Sequence, residues 1–225
     1  MDVLKKTVKY FLLALRDVLN PFFNFKEVAV LCYHQYDPHL PAQLAALKAR
    51  GYSFVPLADV VAWAKGKGAV PHKAVSITLD DGYPDFVPQV LPVMRQYGAP
   101  VTLFATGAYD TTPIRGDVLV ELGYHTASHP NLAKLSGAEL IKEIAPPRGE
   151  RYFAYPGGNH SPEAAAAVRA AGYQAAFTIR PVPVRQGVDP YYVPRSVITP
   201  DMSVRDVLFY TSRAACWYKA LTDLV

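Results

Sequence analysis

Short apolar, β-branched segments alternate with helix-like segments along most of the chain, and this alternation constrains the fold more strongly than any other sequence feature. The strand-like runs cover residues 28–33, 53–56, 74–79, 101–105, 152–155 and 175–179. The helix-like stretches lie near residues 43–50, 57–65, 86–97, 115–122, 136–144 and 162–171. Such alternation predicts a parallel β-sheet whose strands are joined by helical crossovers.

The sequence lacks the glycine-rich fingerprint of a dinucleotide-binding sheet, so an α/β barrel is favoured over an open Rossmann-type sheet. The chain has 225 residues and is 51% hydrophobic, which suffices for one core, and α/β barrels of this size are commonly single domains. We find no internal repeat, low-complexity tract or linker. We therefore predict an N-terminal helix over residues 1–25 and one domain over residues 26–225.

The N-terminal segment carries apolar side chains at helical spacing, which predicts an amphipathic helix. These side chains are Leu4, Val8, Phe11, Leu12, Leu15, Leu19 and Phe22. Asn20-Pro21 is the expected end of the helix. Its longest apolar run, residues 10–15, is too short to span a membrane, and no small-residue cleavage site of a signal peptide follows it. The helix is expected either to pack against the barrel or to lie on a membrane surface.

Two polar motifs stand out against this background. Asp80-Asp81-Gly82 ends the apolar run at residues 74–79, and His125 and His129 form a His-x-x-x-His pair further along. Alone, the first motif is typical of a turn, and the second is typical of a surface or capping pair. Their combination is different, because α/β proteins place their chemistry at the carboxyl ends of strands.

Together the two motifs predict a metal site with a spare carboxylate. Two histidines four residues apart share one face if their backbone is helical. One aspartate completes a two-histidine, one-carboxylate set that leaves coordination positions open, and the second aspartate can then transfer protons. Strand alternation would point Asp80 and Asp81 to opposite faces, but Gly82 permits an irregular turn that brings both into one site.

These motifs, together with Phe153-Ala154-Tyr155-Pro156-Gly157-Gly158, resemble the first three motifs of the NodB-type polysaccharide deacetylases, carbohydrate esterase family 4, in the same order. Residues 31–34, 51–57 and 99–104 are also similar to that family, so the resemblance covers roughly residues 28–200. It is strongest to the poly-N-acetylglucosamine deacetylase branch. The resemblance implies that residues 26–225 form a catalytic domain, a distorted, incomplete (β/α) barrel.

The resemblance also implies roles for site residues. Asp81, His125 and His129 would bind a divalent ion, Zn²⁺ first, with Co²⁺, Ni²⁺ or Mn²⁺ as alternatives. Asp80 would act as the general base for a water molecule that attacks the acetyl carbonyl. A backbone N–H in the loop Tyr155-Pro156-Gly157 would stabilise the oxyanion, and Gly157 stands where the family usually has an aromatic residue.

Two departures from the family pattern require other residues. Ala154 replaces the usual arginine before the third motif, and Arg195 is the candidate to orient Asp80 and keep it ionised. The late histidine motif is absent, since no histidine follows His160. His34, at the end of the first strand, is therefore the candidate general acid, with a buried, hydrogen-bonded histidine as the alternative interpretation.

A third departure is the segment from Ile144 to Arg151, which is short for the family and either opens the groove or impairs the fold. Two cysteines, Cys32 and Cys216, stand in apolar surroundings. Cys32 is interpreted as a buried strand residue, and a disulfide is the less favoured alternative.

We therefore expect a metal-dependent hydrolase that removes N-acetyl groups from an N-acetylglucosamine-containing polysaccharide. An O-acetyl carbohydrate esterase and a non-catalytic glycan- or metal-binding descendant are the alternatives. The expected partner is an acetylated glycan. A net charge of +4 is modest, and no basic helix or RNA-binding signature suggests a nucleic-acid partner. By family resemblance we expect the cell envelope or an extracytoplasmic location.

Overall fold

The computed structural model describes residues 3–23, 26–144 and 150–223. Their eight strands are β1 (Glu27–Tyr33), β2 (Ser53–Phe54), β3 (Lys73–Asp81), β4 (Val101–Ala105), β5 (Val120–Tyr124), β6 (Tyr152–Ala154), β7 (Ala175–Phe177) and β8 (Ser196–Val197). Their eight α-helices are α1 (Val3–Phe23), α2 (Leu40–Ala49), α3 (Leu57–Ala64), α4 (Leu91–Tyr97), α5 (Gly137–Ile144), α6 (Pro162–Ala170), α7 (Val204–Thr211) and α8 (Arg213–Thr222). A π-helical turn, Phe86–Val90, precedes α4.

The strands form one parallel sheet in the order β7-β6-β5-β4-β3-β1-β8, with β2 paired beside β3. This is a parallel half-barrel, so the predicted α/β fold class is confirmed. β1 and β4 are buried along their whole length, as expected for central parallel strands covered on both faces.

Alternation along β1 divides the core in two. Ala29, Leu31 and Tyr33 pack outward into the apolar layer beneath the helices, which also contains Leu12 and Leu13 of α1. Val28 and Val30 point to the barrel interior, which is filled by side chains such as Phe104 and Phe177. Cys32 follows Val28 and Val30 at the same two-residue spacing and pairs in register with Thr78 of β3, so both point inward at the carboxyl end of the sheet.

The segment between β7 and β8 closes part of the gap that separates the two ends of the sheet. The Thr178 N–H donates to the Val193 carbonyl, and the Arg180 N–H donates to the Arg195 carbonyl, at 2.9 Å each. The Val184 N–H reaches the Val28 carbonyl at 2.7 Å. This return path brings Arg195 alongside β1.

The structure corrects two predicted elements. Residues 115–122 were expected to be helical, but β5 begins at Val120 and pairs with β4 from Val101 to Ala105. The N-terminal helix was expected to end at Asn20-Pro21, but α1 continues to Phe23. A proline in the last turn removes one backbone hydrogen bond without ending the helix. Most of the segment expected to be short, residues 145–149, lies outside the described residues.

Candidate active site

The predicted site residues meet at the carboxyl edge of the sheet. β1, β3 and β5 run parallel and end at Tyr33, Asp81 and Tyr124, so the residues just beyond them share one rim. His34 follows β1, and His125 follows β5. The edge therefore collects side chains from three separate parts of the sequence.

Asp80 and Asp81 escape strict strand alternation because the chain turns at Asp81 itself. Asp81 has a φ of 71°, and Gly82 has a φ of 84°, so the irregular backbone begins one residue earlier than the glycine indicated. Gly82 is also required sterically, since a Cβ there would lie 2.4 Å from the ring of Tyr109. Asp80 stays buried with 1% of its surface exposed, whereas Asp81 turns toward the half-exposed rim.

His125 and His129 do not share a helical face, because the helical condition attached to their spacing is not met. They lie in a loop after β5 in which Thr126 has a φ of 69° and His129 a φ of 62°. The His129 N–H donates to the Thr126 hydroxyl at 2.9 Å, which fixes the second of these left-handed residues. The loop brings both imidazoles together by strained backbone geometry, and their ring centroids lie 4.9 Å apart.

Glu143 of α5 holds this loop, a role that the sequence did not suggest. Its carboxylate accepts hydrogen bonds from the Ser128 N–H at 2.9 Å and the Ser128 hydroxyl at 2.8 Å. Its carbonyl accepts from the Ala127 N–H at 3.2 Å. No sequence spacing links the helix to the loop, because the contact is tertiary.

Asp81, His125 and His129 form a cluster whose potential ligand atoms all lie within 4.8 Å of one another. The Asp81 Oδ1 is 3.6 Å from His125 Nε2 and 3.4 Å from His129 Nε2. Ligand atoms about 2.1 Å from a tetrahedral ion are separated by about 3.4 Å. The three side chains therefore fit a divalent ion with little adjustment, and three protein ligands leave a position open.

His125 is held in the form that a metal ligand needs. Burial lowers its pKa, although the Asp80 carboxylate opposes that shift, so the ring favours the neutral state. Its Nδ1 lies 2.8 Å from the Ala154 carbonyl, and an N–H at that position leaves the Nε2 lone pair facing Asp81. Ala154, which stands where the family usually has an arginine, thus positions His125 through its backbone.

Asp80 is paired with Arg195 deep in the barrel. The guanidinium makes two hydrogen bonds of 2.7 Å to the two carboxylate oxygens and a third, of 3.1 Å, to the Thr78 hydroxyl. The guanidinium carbon, Cζ, lies 5.1 Å from the centre of the Phe104 ring. Burial raises the pKa of Asp80, but the charge and hydrogen bonds of Arg195, together with the charges of His125 and His34, outweigh burial and hold that pKa well below its usual value. Asp80 is therefore an oriented, ionised carboxylate.

Cys32 also contacts Asp80. The sequence analysis identified Cys32 as a buried strand residue but did not predict this contact. Its thiol lies 3.3 Å from the Asp80 Oδ2, and burial raises the pKa of Cys32, so the neutral thiol donates to the carboxylate. The contact could have been expected from the sequence, because strand alternation from Val28 and Val30 places Cys32 on the inward face. Both cysteines of the chain are free thiols.

His34 lies on the Asp80 side of the site. Potential ligand atoms of His34, Cys32 and Asp80 are within 4.8 Å of one another. The half-buried ring of His34 also lines an open cavity of about 250 Å³, together with Tyr83 and Ile198. This placement gives His34 access both to the buried carboxylate and to the space outside it.

The Tyr155-Pro156-Gly157 loop follows Ala154 and begins beside His125. The Tyr155 side chain is buried and its hydroxyl donates to the Tyr191 carbonyl at 3.1 Å, so that side chain faces away from the rim. The Tyr155 N–H donates to Phe177 and the Gly158 N–H donates to Tyr155, while proline has no N–H. Within this described loop, the Gly157 N–H is the backbone donor left over, and Gly157 has a φ of 58°.

Comparison with known proteins identifies the family. The sequence model of the polysaccharide deacetylase family matches residues 67–176, which include the Asp-Asp and His-x-x-x-His motifs. The poly-beta-1,6-N-acetyl-D-glucosamine N-deacetylase of Escherichia coli (strain K12) is 33% identical over 108 residues, 46% of this chain and 16% of that protein. The protein of the same name from Staphylococcus epidermidis is 26% identical over 222 residues, 83% of this chain and 76% of that protein.

Solved structures agree on the fold. IcaB from Ammonifex degensii superposes with a TM-score of 0.70 at 23% identity, covering 83% of this chain and 98% of that one. The Streptococcus pyogenes deacetylase PplD, solved in complex with acetate, superposes with a TM-score of 0.65 at 20% identity over 83% and 98% of the two chains. The chain carries a polysaccharide deacetylase domain, matched over residues 67–176, and it spans 16% of the length of its E. coli relative.

Proposed function

We propose that this protein is a metal-dependent deacetylase that removes N-acetyl groups from an N-acetylglucosamine-containing polysaccharide. One observation carries the proposal: two adjacent carboxylates have different partners. Asp81 faces two imidazoles at ligand-to-ligand distances, whereas Asp80 is held ionised by Arg195. A structural metal site would need the Asp81 carboxylate but not that of Asp80. The presence of Asp80 is explained by a reaction in which a carboxylate must accept a proton.

The donor set of Asp81, His125 and His129 supports a divalent ion of the Zn²⁺ type, since neutral imidazole and carboxylate ligands suit that ion. When bound, such an ion would acidify a water molecule and polarise the acetyl carbonyl. The paired Asp80 carboxylate is a weak base because Arg195 lowers its pKa. Asp80 can therefore take a proton only from an acidified water, which limits the reaction to the metal-loaded site.

In the proposed reaction Asp80 accepts one proton from the attacking water, whose oxygen forms a bond to the amide carbon. Arg195 keeps both Asp80 oxygens in place while the charge of the carboxylate is lost and regained. The Gly157 N–H is the proposed backbone donor to the oxyanion, because the other N–H groups of its loop are used within the fold. The amide C–N bond then breaks, and the products are acetate and a free amine.

An amine leaves only if it gains a proton, and His34 is the proposed donor. It lies within reach of Asp80 and lines the open cavity beside the rim. A protonated imidazole can transfer its proton to the leaving nitrogen. The proton held by Asp80 then returns to solvent, and His34 takes up a proton from solvent, which restores both groups. Cys32 would help to orient Asp80 from below through its thiol.

The substrate class is supported by the two relatives named as poly-beta-1,6-N-acetyl-D-glucosamine N-deacetylases. An acetyl ester would fit the same machinery, but an alkoxide leaves more readily than an amine. A positioned acid such as His34 is therefore of greater use in amide cleavage, which favours N-deacetylation over the esterase alternative.

Acetate release tests this proposal. The purified chain, loaded with one equivalent of Zn²⁺, should release acetate and expose amines in equal amounts from β-1,6-linked N-acetylglucosamine oligosaccharides. A chelated sample and the variant Asp80→Asn serve as controls, and both should be nearly inactive. Equal release with and without chelator would overturn the metal-dependent reaction, and release from O-acetyl sugars alone would make the chain an esterase.

A further inference from the structure

Helix α1 has two apolar faces, and the protein covers one of them. Leu12 and Leu13 are buried, with 7% and 4% of their surface exposed, in the apolar layer that also includes residues of α7 and α8. On the other face, Phe11, Val18 and Phe22 are 65%, 64% and 81% exposed.

The exposed residues form a continuous stripe. Phe11, Leu15, Val18 and Phe22 follow one another at intervals of three or four residues, so they lie on one side of the helix. At a rise of about 1.5 Å per residue the stripe is about 16 Å long. Two aromatic rings and two aliphatic side chains in one stripe differ from the single exposed apolar residues that are normal on a protein surface.

Polar contacts fix α1, so the stripe cannot turn inward. The Arg16 guanidinium pairs with the buried Glu27 carboxylate at the start of β1. The Lys9 ammonium donates to the Tyr210 hydroxyl at 2.6 Å. A rotation of α1 that turned the exposed stripe inward would break the buried ion pair between Arg16 and Glu27, which is costly.

These contacts also orient the stripe relative to the active site. The Tyr10 hydroxyl lies 3.2 Å from the Ser203 hydroxyl, just beyond the loop that follows β8 at the carboxyl edge. Arg16 reaches Glu27 at the opposite edge. The stripe therefore runs along the side of the barrel, with α1 roughly antiparallel to β1, and the active site opens at one end of it.

Exposed lysines precede the stripe. Lys6 and Lys5 lie five and six residues before Phe11 and are exposed, and at about 100° per residue they project from the side of α1 away from the stripe. The acidic residue of α1 is Asp17, whose oxygens accept hydrogen bonds from Arg16 at 2.6 Å and Arg50 at 2.8 Å. Lysines on a helix about 10 Å wide stay within roughly one Debye length of a surface that its apolar stripe contacts. With the acid of the helix neutralised, they complement an anionic lipid surface.

We propose that α1 binds an anionic membrane surface through Phe11, Leu15, Val18 and Phe22, and that Lys5 and Lys6 attract the anionic headgroups from the far side of the helix. Among the described residues, no helix is long and apolar enough to cross a membrane, so the contact lies in the interface. The active site then opens along the membrane surface. A second copy of the chain fits less well, because its α1 offers the same lysines and no free carboxylate to pair with them.

Vesicle sedimentation with the full chain tests the proposal. The protein should co-sediment with vesicles of phosphatidylcholine and phosphatidylglycerol, and weakly with phosphatidylcholine alone. The double variant Phe11→Ser, Phe22→Ser should lower the partition coefficient about tenfold or more for each aromatic ring that no longer enters the interface. The matched control Val118→Ser, Ile141→Ser removes side chains that are 97% and 64% exposed elsewhere and should partition like wild type.

The double variant Lys5→Glu, Lys6→Glu should remove the preference for the anionic vesicles, and added salt should weaken wild-type binding. Analytical ultracentrifugation of each variant, with circular dichroism to verify folding, completes the experiment. Two results would overturn the proposal: no co-sedimentation of folded wild type with anionic vesicles, or a wild-type dimer that dissociates when Phe11 and Phe22 are replaced. Because the readout is binding, a failed deacetylase assay does not affect it.

Discussion

Replacing Arg195 with methionine should destabilise the protein strongly at neutral pH. Methionine is a shorter, unbranched, uncharged side chain and leaves the Asp80 carboxylate buried without its guanidinium. Removing one partner of a buried ion pair costs about 3–5 kcal/mol. The loss is slightly offset, since the Arg195 Nε has no hydrogen-bond partner among the described residues. Urea unfolding of the chelated protein at pH 7 measures the difference in free energy of unfolding.

The destabilisation should shrink as the pH falls. In wild type the pKa of Asp80 is held below its usual value, so its stabilising contribution is present above the unfolded pKa, about 3.9. It is lost only as the pH falls through the lower folded value. In the variant, burial outweighs the remaining Cys32 hydrogen bond and the imidazole charges and raises the folded pKa of Asp80, so stability rises as the pH falls from that value toward about 3.9. Each pKa unit contributes about 1.4 kcal/mol.

Arg95→Met is the matched control. Arg95 is 58% exposed and pairs with Asp117 at the surface, so its loss should cost about 1 kcal/mol or less. Two results would refute the reasoning: equal destabilisation by the two variants, or a difference between Arg195→Met and wild type that stays constant from pH 7 to pH 4.5. In the metal-loaded enzyme, the same variant should shift the acidic limb of the pH-rate profile to higher pH.

Three further predictions concern the chemistry. His125→Ala and His129→Ala should each lose tight metal binding and activity, because two ligands remain; stoichiometric metal with normal turnover in either variant would contradict the assigned ligand set. Asp80→Asn should retain the metal and lose about 10²- to 10⁴-fold in turnover, since an amide cannot accept the proton; metal analysis beside acetate release checks it, and a near-normal rate would remove Asp80 from the reaction. His34→Ala, at unchanged metal content, should slow cleavage of an N-acetyl oligosaccharide about 10²-fold while affecting an aryl acetate much less, because a phenolate needs little protonation; equal losses on both substrates would make His34 a structural residue.

Local pattern was sufficient to predict the strands that carry the site. The runs at 28–33, 74–79 and 101–105 are apolar and β-branched because central parallel strands are buried on both faces. Since parallel strands end at one edge, the motifs that follow them could be expected to meet there. This logic placed Asp80, Asp81 and His34 at one edge before any contact was known. His125 was linked to the aspartates by the chemistry of metal ligands, because residues 115–122 were expected to be helical.

The errors arose where tertiary contacts decide the local structure. Residues 115–122 place apolar side chains at spacings compatible with a helix, but pairing with β4 draws Val120–Tyr124 into the sheet. Gly123 assists, since a Cβ there would lie 2.4 Å from the Phe104 ring. The His-x-x-x-His spacing suits a helix equally well, and only the left-handed residues of the loop show how the two imidazoles meet.

Other features left little trace in the sequence. Glu143 supports the His125 loop across a tertiary contact, and β8 is too short for a periodic pattern. Helices α7 and α8 were not predicted, although Ser203 begins α7 with a capping box that includes Asp206. Cys32 was the recoverable omission, because alternation from Val28 and Val30 places it inward, toward Asp80.

The most direct test of the account is a Zn²⁺ titration of the chelated chain while acetate release is followed on N-acetylglucosamine oligosaccharides. The rate should rise in proportion to added metal and reach its plateau at one ion per chain. Asp80→Asn should bind the same single ion and remain nearly inactive, which separates binding from proton transfer. A chelated protein that works at the full rate, or an Asp80→Asn variant that matches wild type at saturation, would contradict the division of roles between Asp80 and Asp81.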